Sequence, residues 1–406
     1  MTQRSTADRA VGGLGPWLPI VLGMLTIFGP ISVDIYLPSL PALRDDLAVT
    51  PALAQLTLTA CLVGLALGQL LVGPLSDRFG RRRPLLVGLG VYVVAAVLCS
   101  VSISIEMLIV ARVVQGVAGA TGMVIAQASG RDRLDGPRLT RYYANIAVVV
   151  GSAALVGPLL GGQLAAFMDW RGIFLVLAGI GTAIWLACLT GFSESLPHDR
   201  RRAGESSILH DMRSLARDRA FVTPVLVIGL LNGAVIGYVS GASFLLQGAY
   251  GLTPQQYSYV IAAGAVTFVL GGIVAGQVGA RRSPRALLPV GIGLAIAGAT
   301  ATLVIGVLDV GLAALIAAIL AVTSGTALTV PSATTIALAR RPDIAGSAAA
   351  VVGVTRYALG AAAAPLVGLG GGLSAVPLAI VMLVCTLGAL GAWLAIPRAG
   401  EGASGD

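Results

Sequence analysis

Long, nearly uninterrupted apolar runs alternate with short polar segments along the sequence. Residues 52–72 and 84–100 are two such runs, and each approaches the roughly 20 helical residues that cross a bilayer core of about 30 Å. Apolar residues make up 56% of the chain and charged residues only 11%, which excludes a pair of ordinary soluble domains. Because lipid offers no partner for backbone polar groups, we predict an all-α membrane protein.

Twelve apolar runs predict twelve transmembrane helices. Their approximate bounds are 17–39, 52–74, 84–103, 107–129, 142–167, 171–191, 221–246, 255–279, 286–307, 310–331, 345–369 and 375–396. The predicted domains are an N-terminal six-helix bundle (1–191), a cytoplasmic linker (192–220) and a C-terminal six-helix bundle (221–406).

The distribution of arginine predicts the orientation. All 26 basic residues are arginine, and 22 of them fall on one side if both termini and the even-numbered loops are cytoplasmic. Basic residues near span ends favour the cytoplasm, so we expect a multi-pass protein of the inner membrane, surrounded by the lipid bilayer. The formal charge of +8 is then an orientation signal, and we expect no nucleic-acid partner.

Metal and cofactor chemistry is not indicated. The four cysteines lie inside apolar runs without metal-ligand spacing, so we expect no disulfide, no metal and no cofactor. Two histidines and the lack of a sizeable loop disfavour a polytopic membrane enzyme.

The segment between the second and third runs reads Gly-Pro-Leu-Ser-Asp-Arg-Phe-Gly-Arg-Arg-Arg, residues 73–83. We interpret it as a short hairpin loop in which Gly73 and Gly80 permit tight turns. Asp77 is placed to accept hydrogen bonds from helix N-terminal N–H groups. A related segment, residues 276–282, recurs in the second half without the aspartate, which indicates an internal repeat.

The segment 73–83 resembles the signature loop of the major facilitator superfamily. The resemblance implies twelve helices in two six-helix, pseudo-symmetric halves and transport by alternating access. It also implies a conformational gate, to which we assign Gly73, Asp77, Arg78, Gly80 and Arg81 together with Gly157 and Pro158 of helix 5.

Charged residues inside apolar runs are the candidate functional residues, because a charge at the bilayer centre costs about 2.5–3.5 kcal/mol. Asp34 follows Gly29-Pro30 in helix 1, and Arg112 shares a face of helix 4 with Gln115. We expect Asp34 to couple transport to protons or to a cationic substrate, and Arg112 to relay protons or organise the pocket. Alternatively, Asp34 lies in water at the outer rim, and Arg112 is a structural residue bonded to neighbouring carbonyls.

Gly157-Pro158 in helix 5 predicts a bend, and its surroundings resemble the motif of antiporters in the superfamily. Segments 34–41, 170–174, 194–197, 238–247 and 250–258 resemble the Bcr/CflA branch, the bicyclomycin and chloramphenicol resistance exporters. This resemblance implies a proton-coupled antiporter that exports drugs or other small amphipathic molecules, with Asp34 and Arg112 as the proton-linked pair. The substrate cavity is predicted to include Tyr36, Gln115, Tyr238, Ser243, Phe244, Gln247 and Arg356.

Several assignments keep an alternative. Tyr36 and Tyr238 could be interfacial aromatics, and Phe244 could serve packing alone. Arg356 departs from the branch, where a neutral polar residue is expected; a second cation in the cavity would favour neutral or zwitterionic substrates. Arg356 could instead bind a carbonyl or a backbone dipole near helix 7.

The competing function is a proton symporter for a small nutrient, which differs in the direction of substrate movement. With both halves in one chain, a monomer needs no protein partner, so the expected partners are a small-molecule substrate and protons.

Overall fold

The computed structural model describes residues 18–134, 136–196, 206–279, 284–340, 344–370 and 373–396. Within these ranges the chain forms fourteen α-helices and no strand. The helices are α1 (Leu18–Asp34), α2 (Leu40–Asp46), α3 (Pro51–Phe79), α4 (Arg82–Ser100), α5 (Ile105–Arg133), α6 (Gly136–Leu164), α7 (Trp170–Gly191), α8 (Ser206–Arg217), α9 (Arg219–Phe244), α10 (Pro254–Gly279), α11 (Leu287–Leu308), α12 (Leu312–Arg340), α13 (Ala345–Gly368) and α14 (Ala375–Leu394).

Eleven stretches of the described chain are long and apolar enough to cross a membrane. The first, Val21–Asp46, includes most of α1, a short 3-10 turn (Leu37–Ser39) and α2. Helix α6 occupies the remaining predicted position, with a shorter apolar part at Ser152–Leu164. The predicted all-α, multi-pass arrangement is therefore confirmed.

The prediction for the end of helix 1 is wrong. Instead of continuing to residue 39, α1 ends at Asp34, and the chain reaches α2 through the 3-10 turn. Pro38 and Pro41 explain the change, because neither has the N–H that a continuous α-helix would need at its position. Asp34 thus lies at a break within the first membrane-spanning stretch.

The predicted hairpin loop between the second and third spans is also mostly helical. Helix α3 continues to Phe79 and α4 begins at Arg82, so only two residues connect them. Gly80 makes the turn with a φ of 84°, a value that favours glycine. Gly73 lies inside α3 and takes no part in the turn.

Glycines bring α3 and α5 into close contact. A Cβ atom at Gly64 would lie 2.3 Å from the Val113 carbonyl oxygen, and one at Gly116 would lie 2.2 Å from that of Cys61. Small residues permit such backbone approach between membrane helices. Gly64 and Gly116 therefore let the backbones of α3 and α5 pack in direct contact.

The long helices pack as two groups. Helices α1 and α3–α7 contact one another, as do α9–α14, and the pairs α3–α13 and α6–α10 join the groups. Helix α8 packs against the second group, where Leu215 is buried with Phe221, Val225 and Ala337. Asp34 ends α1 just before the 3-10 turn, which contacts α9 and α10 of the second group.

Candidate functional site

Asp34 is a half-buried carboxylate at the C-terminal end of α1. A Cβ atom at Gly157 of α6 would lie only 2.9 Å from the Asp34 Cβ, so the two helices touch at this level. Within the described part of the chain, the Asp34 carboxylate accepts no hydrogen bond and forms no direct ion pair. It is therefore a charge-bearing group without a fixed partner inside the first membrane span.

Electrostatic interactions link Asp34 with residues on both groups of helices. Arg356 on α13 acts on Asp34, and the Asp34 charge acts on Cys61 of α3, Tyr257 of α10 and Tyr357 of α13. We call Asp34 and these four residues the junction site. Arg356, which is half-buried, is the arginine of this set, and its positive charge acts on Asp34.

Arg112 is fully buried in a different environment, among α1, α3, α5 and α7. Its guanidinium donates to the carbonyl oxygens of Ser32 (3.1 Å) and Thr57 (3.3 Å) and to Gln115 Oε1 (2.7 Å). It also lies 4.5 Å from the ring centroid of Tyr36 and 5.4 Å from that of Phe174. We call these residues the Arg112 cluster.

Backbone carbonyls and aromatic faces surround the Arg112 charge. Among the described residues, no carboxylate forms an ion pair with it, and its Nη2 atom has no hydrogen-bond partner. The hydrogen bonds to carbonyl oxygens and the contacts with aromatic rings are each favourable for a desolvated guanidinium. This geometry fits the alternative of a structural arginine, and a role in proton relay stays a prediction.

Tyr36 belongs to the Arg112 cluster. Its hydroxyl lies 2.5 Å from Thr57 Oγ1, and Thr57 donates its own proton to the Ala54 carbonyl (2.6 Å). Tyr36 is therefore the donor of the pair. Full burial places it in the hydrophobic core shared by the two groups of helices, away from an interfacial aromatic belt.

Ser243 and Gln247 connect the two groups of helices at the end where α1 finishes. Ser243 donates to the Leu37 carbonyl (2.7 Å), and Gln247 donates to the Pro38 carbonyl (3.0 Å) and to Ser243 Oγ (3.1 Å). We call these contacts the outer lock, because the predicted orientation places them on the outer side of the membrane. Both side chains were predicted to line the cavity; in this structure their polar atoms hold the groups together.

The two remaining predicted cavity residues on α9 are buried aromatics. Phe244 packs in the core, with the Arg44 guanidinium 5.9 Å from its ring centroid. Tyr238 faces Gly264 of α10, where an added Cβ atom would lie 3.6 Å from the hydroxyl. Within the described residues the buried Tyr238 hydroxyl has no hydrogen-bond partner.

At the opposite end of the bundle, Arg81 is the centre of a charged cluster. It forms ion pairs with Asp77 (2.6 Å) and Asp132 (2.9 Å) and donates to Ser76 Oγ (2.6 Å). Burial alone would lower the pKa of Arg81, but the hydrogen bonds and charges of Asp132 and Asp77 raise that pKa above its usual value. Arg78 is exposed and stacks on Phe79.

Glu194 supplies the helix cap that was predicted for Asp77. Its carboxylate accepts from the backbone N–H groups of Arg81 (2.7 Å) and Arg82 (3.3 Å) at the start of α4. A carboxylate at this position satisfies free N–H groups and the positive end of the helix dipole. Asp77 accepts from the Arg81 side chain instead.

Several of these residues gave no signal in the sequence. Cys61 and Thr57 lie in the middle of an apolar run, and Tyr357 adjoins Arg356 without a recognisable motif. Glu194 and Tyr257 lie within segments that carry the family resemblance, but nothing local indicates their partners. In the described residues no group of three or more His, Cys, Asp or Glu side chains could hold a metal ion.

Comparison with known proteins gives consistent matches over most of the chain. The family profile described as Major Facilitator Superfamily matches residues 22–365. The MFS-type transporter YdgK of Bacillus subtilis is 35% identical over 372 residues, covering 90% of this chain and 92% of the relative. A bicyclomycin resistance protein homolog of Haemophilus influenzae is 26% identical, covering 91% of this chain and 93% of the relative. The crystal structure of a D-xylose-proton symporter aligns with a TM-score of 0.73 at 14% identity, covering 94% of this chain and 97% of the symporter.

Proposed function

Because the chain belongs to the major facilitator superfamily and is similar to its Bcr/CflA drug exporters, we propose that it is a proton-coupled antiporter. It is a multi-pass membrane transporter and not an enzyme. The proposed substrates are drugs or other small amphipathic molecules, exported across the cytoplasmic membrane by alternating access. The transporter works as a monomer, with both termini in the cytoplasm.

The position of Asp34 is the observation that carries this proposal. Its carboxylate lies within the first membrane span, beside α6, and interacts electrostatically with groups on α3, α10 and α13. A carboxyl group there can exchange a proton with whichever side of the membrane has access. Each proton that moves inward across a potential of 100 mV provides about 2.3 kcal/mol.

The proposed transport cycle moves the N-terminal bundle (1–191) against the C-terminal bundle (221–406), which the linker (192–220) connects. The outer lock closes one end, and the gate at the other end comprises Gly73, Asp77, Arg78, Gly80 and Arg81. Gly157 and Pro158 permit α6 to move beside Asp34. In this cycle Arg112 and Gln115 position α1, and Tyr36, Tyr238, Phe244 and Arg356 border the substrate path.

Proton release from everted membrane vesicles tests the proposal. Vesicles from an exporter-deficient bacterium would be acidified inside by respiration and then given bicyclomycin or chloramphenicol. We expect the drug to release protons from vesicles with the wild-type protein and not from vesicles with Asp34→Asn. Asp309→Asn makes the same chemical change in an exposed loop and should behave as the wild type.

Two results would contradict the proposal. Proton release that persists in Asp34→Asn would remove Asp34 from coupling. Proton-driven accumulation of the substrate in right-side-out vesicles would instead support a symporter.

A further inference from the structure

The contact between α3 and α13 joins the two groups of helices, and two polar side chains of α3 lie in it. Gln55 lies one turn after the start of α3, and Thr59 lies one turn further along the same face. Thr59 donates a hydrogen bond to the Ala361 carbonyl of α13 (3.0 Å). A Cβ atom added at Gly368, where α13 ends, would lie 2.5 Å from Gln55 Oε1. Helix α2 connects the outer lock to the start of α3 and contacts both α3 and α9, so Gln55 lies at the end of the bundle that the outer lock closes.

Thr59 completes the hydrogen bonding of α13. In a regular α-helix the Ala361 carbonyl would accept from the backbone N–H four residues later, but that residue is Pro365, which has no N–H. The Thr59 hydroxyl supplies the missing donor from the other group of helices. Ser and Thr side chains satisfy carbonyls that proline frees in membrane-spanning helices. Contact between α3 and α13 makes this hydrogen bond and separation breaks it, so the bond stabilises closure.

Gln55 has the opposite effect on the same contact. Its side chain is fully buried, and neither Oε1 nor Nε2 has a hydrogen-bond partner among the described residues. Burial of a polar group without a partner costs free energy. Separation of α13 from α3 exposes the amide to water and removes this penalty. The closed contact therefore contains one hydrogen bond that favours closure and one amide that opposes it.

We propose that Thr59 and Gln55 are positioning residues that set the equilibrium between the closed and open states at the outer end of the α3–α13 contact. Thr59 holds α13 against α3, and Gln55 limits the stability of the closed state so that the contact reopens. The proposal rests on the movement of the two bundles in the transport cycle above. It assigns part of the energetics of that movement to two uncharged side chains that take no part in proton exchange.

The distance between spin labels at Leu53 of α3 and at Leu369, just after α13, measures this equilibrium. Both positions are exposed, and the labels would be attached in detergent to a protein whose native cysteines are replaced by alanine. Thr59→Val keeps the side-chain shape but removes the donor, and should raise the ratio of long to short distances by about threefold to tenfold. Adding Gln55→Met to the Thr59→Val variant removes the unpaired amide and should lower that ratio again by about tenfold.

Control variants separate this effect from a general loss of packing. Gln277→Met and Thr335→Val make the same chemical changes at exposed positions of α10 and α12, and both should leave the distances unchanged. Gln55→Glu replaces the amide by a carboxyl group, whose charged form is costlier to bury, and at pH 8 it should increase the fraction of long distances. A side chain with a packing role alone would not shift the equilibrium in opposite directions in the methionine and glutamate variants.

Three results would overturn the proposal. The first is a wild-type distance distribution in Thr59→Val, and the second is an unchanged or higher ratio when Gln55→Met is added to that variant. The third is a Gln55→Glu distribution that equals the wild type or shifts toward short distances, which decides the role of Gln55 even if the methionine variant does not fold. The distances are recorded without drug or proton gradient, so a failure here is distinguishable from a failure of antiport in the proton-release assay.

Discussion

The contact between α1 and α6 can be tested with alanine substitutions at three glycines. At Gly161 a Cβ atom would lie 2.0 Å from the Ile35 carbonyl oxygen, and at Gly157 it would lie 2.9 Å from the Asp34 Cβ. At Gly179 of α7 no atom lies within 4 Å of the added Cβ. The three positions thus combine the same substitution with a severe clash, a moderate clash and open space.

Two opposing effects set the expected magnitudes. Replacing glycine by alanine inside a helix stabilises it by roughly 0.5–1 kcal/mol, whereas overpacking typically costs about 1–3 kcal/mol. Gly179→Ala should therefore raise the stability by up to about 1 kcal/mol. Gly157→Ala should lower it by up to about 2 kcal/mol, and Gly161→Ala should lower it further, because a backbone carbonyl cannot rotate away.

Thermal unfolding of the purified protein in detergent measures this series, and vesicle transport is measured in parallel. The expected order of stability is Gly179→Ala, wild type, Gly157→Ala, Gly161→Ala. Gly157→Ala should also impair transport, because α1 must shift at Asp34 to accommodate the new methyl group. The reasoning is refuted if Gly157→Ala and Gly161→Ala are as stable as Gly179→Ala and transport is intact.

Two further predictions concern the ends of the bundle. Glu194→Ala removes the cap of α4 and should lower the stability by about 1 kcal/mol in thermal unfolding; an unchanged unfolding temperature would show that the cap is dispensable. Gln247→Ala removes hydrogen bonds worth about 0.5–1.5 kcal/mol each and should favour opening of the outer lock. Spin labels at Asp45 and Gly248 would report a longer distance in this variant, and an unchanged distance would count against the lock.

The sequence predicted the membrane fold because apolar runs and arginine positions report directly on the bilayer. Asp34 was found for the same reason, since an acid inside an apolar run is conspicuous. Its neighbours could not be found in this way. Cys61, Tyr257 and Tyr357 lie on three different helices, and only tertiary packing brings them to one carboxylate.

The partners that the sequence did not reveal also have a physical explanation. The cap of α4 comes from Glu194, 113 residues from Arg81 along the chain, so no local motif could identify it. Ser243 and Gln247 were recognised as important polar residues on α9, but the carbonyls that they bind became available only because the first span breaks after Asp34. Sequence pattern identified the polar groups, and packing determined their partners.

The outer lock has a consequence for how the protein responds to its surroundings. Ser243 and Gln247 carry no charge, and the oxygens that accept their hydrogen bonds belong to the main chain at Leu37 and Pro38. Closure at this end should therefore be insensitive to ionic strength, and should tolerate any substitution at residues 37 and 38 that preserves the backbone path. External acidity would then act on the transporter without loosening this seal.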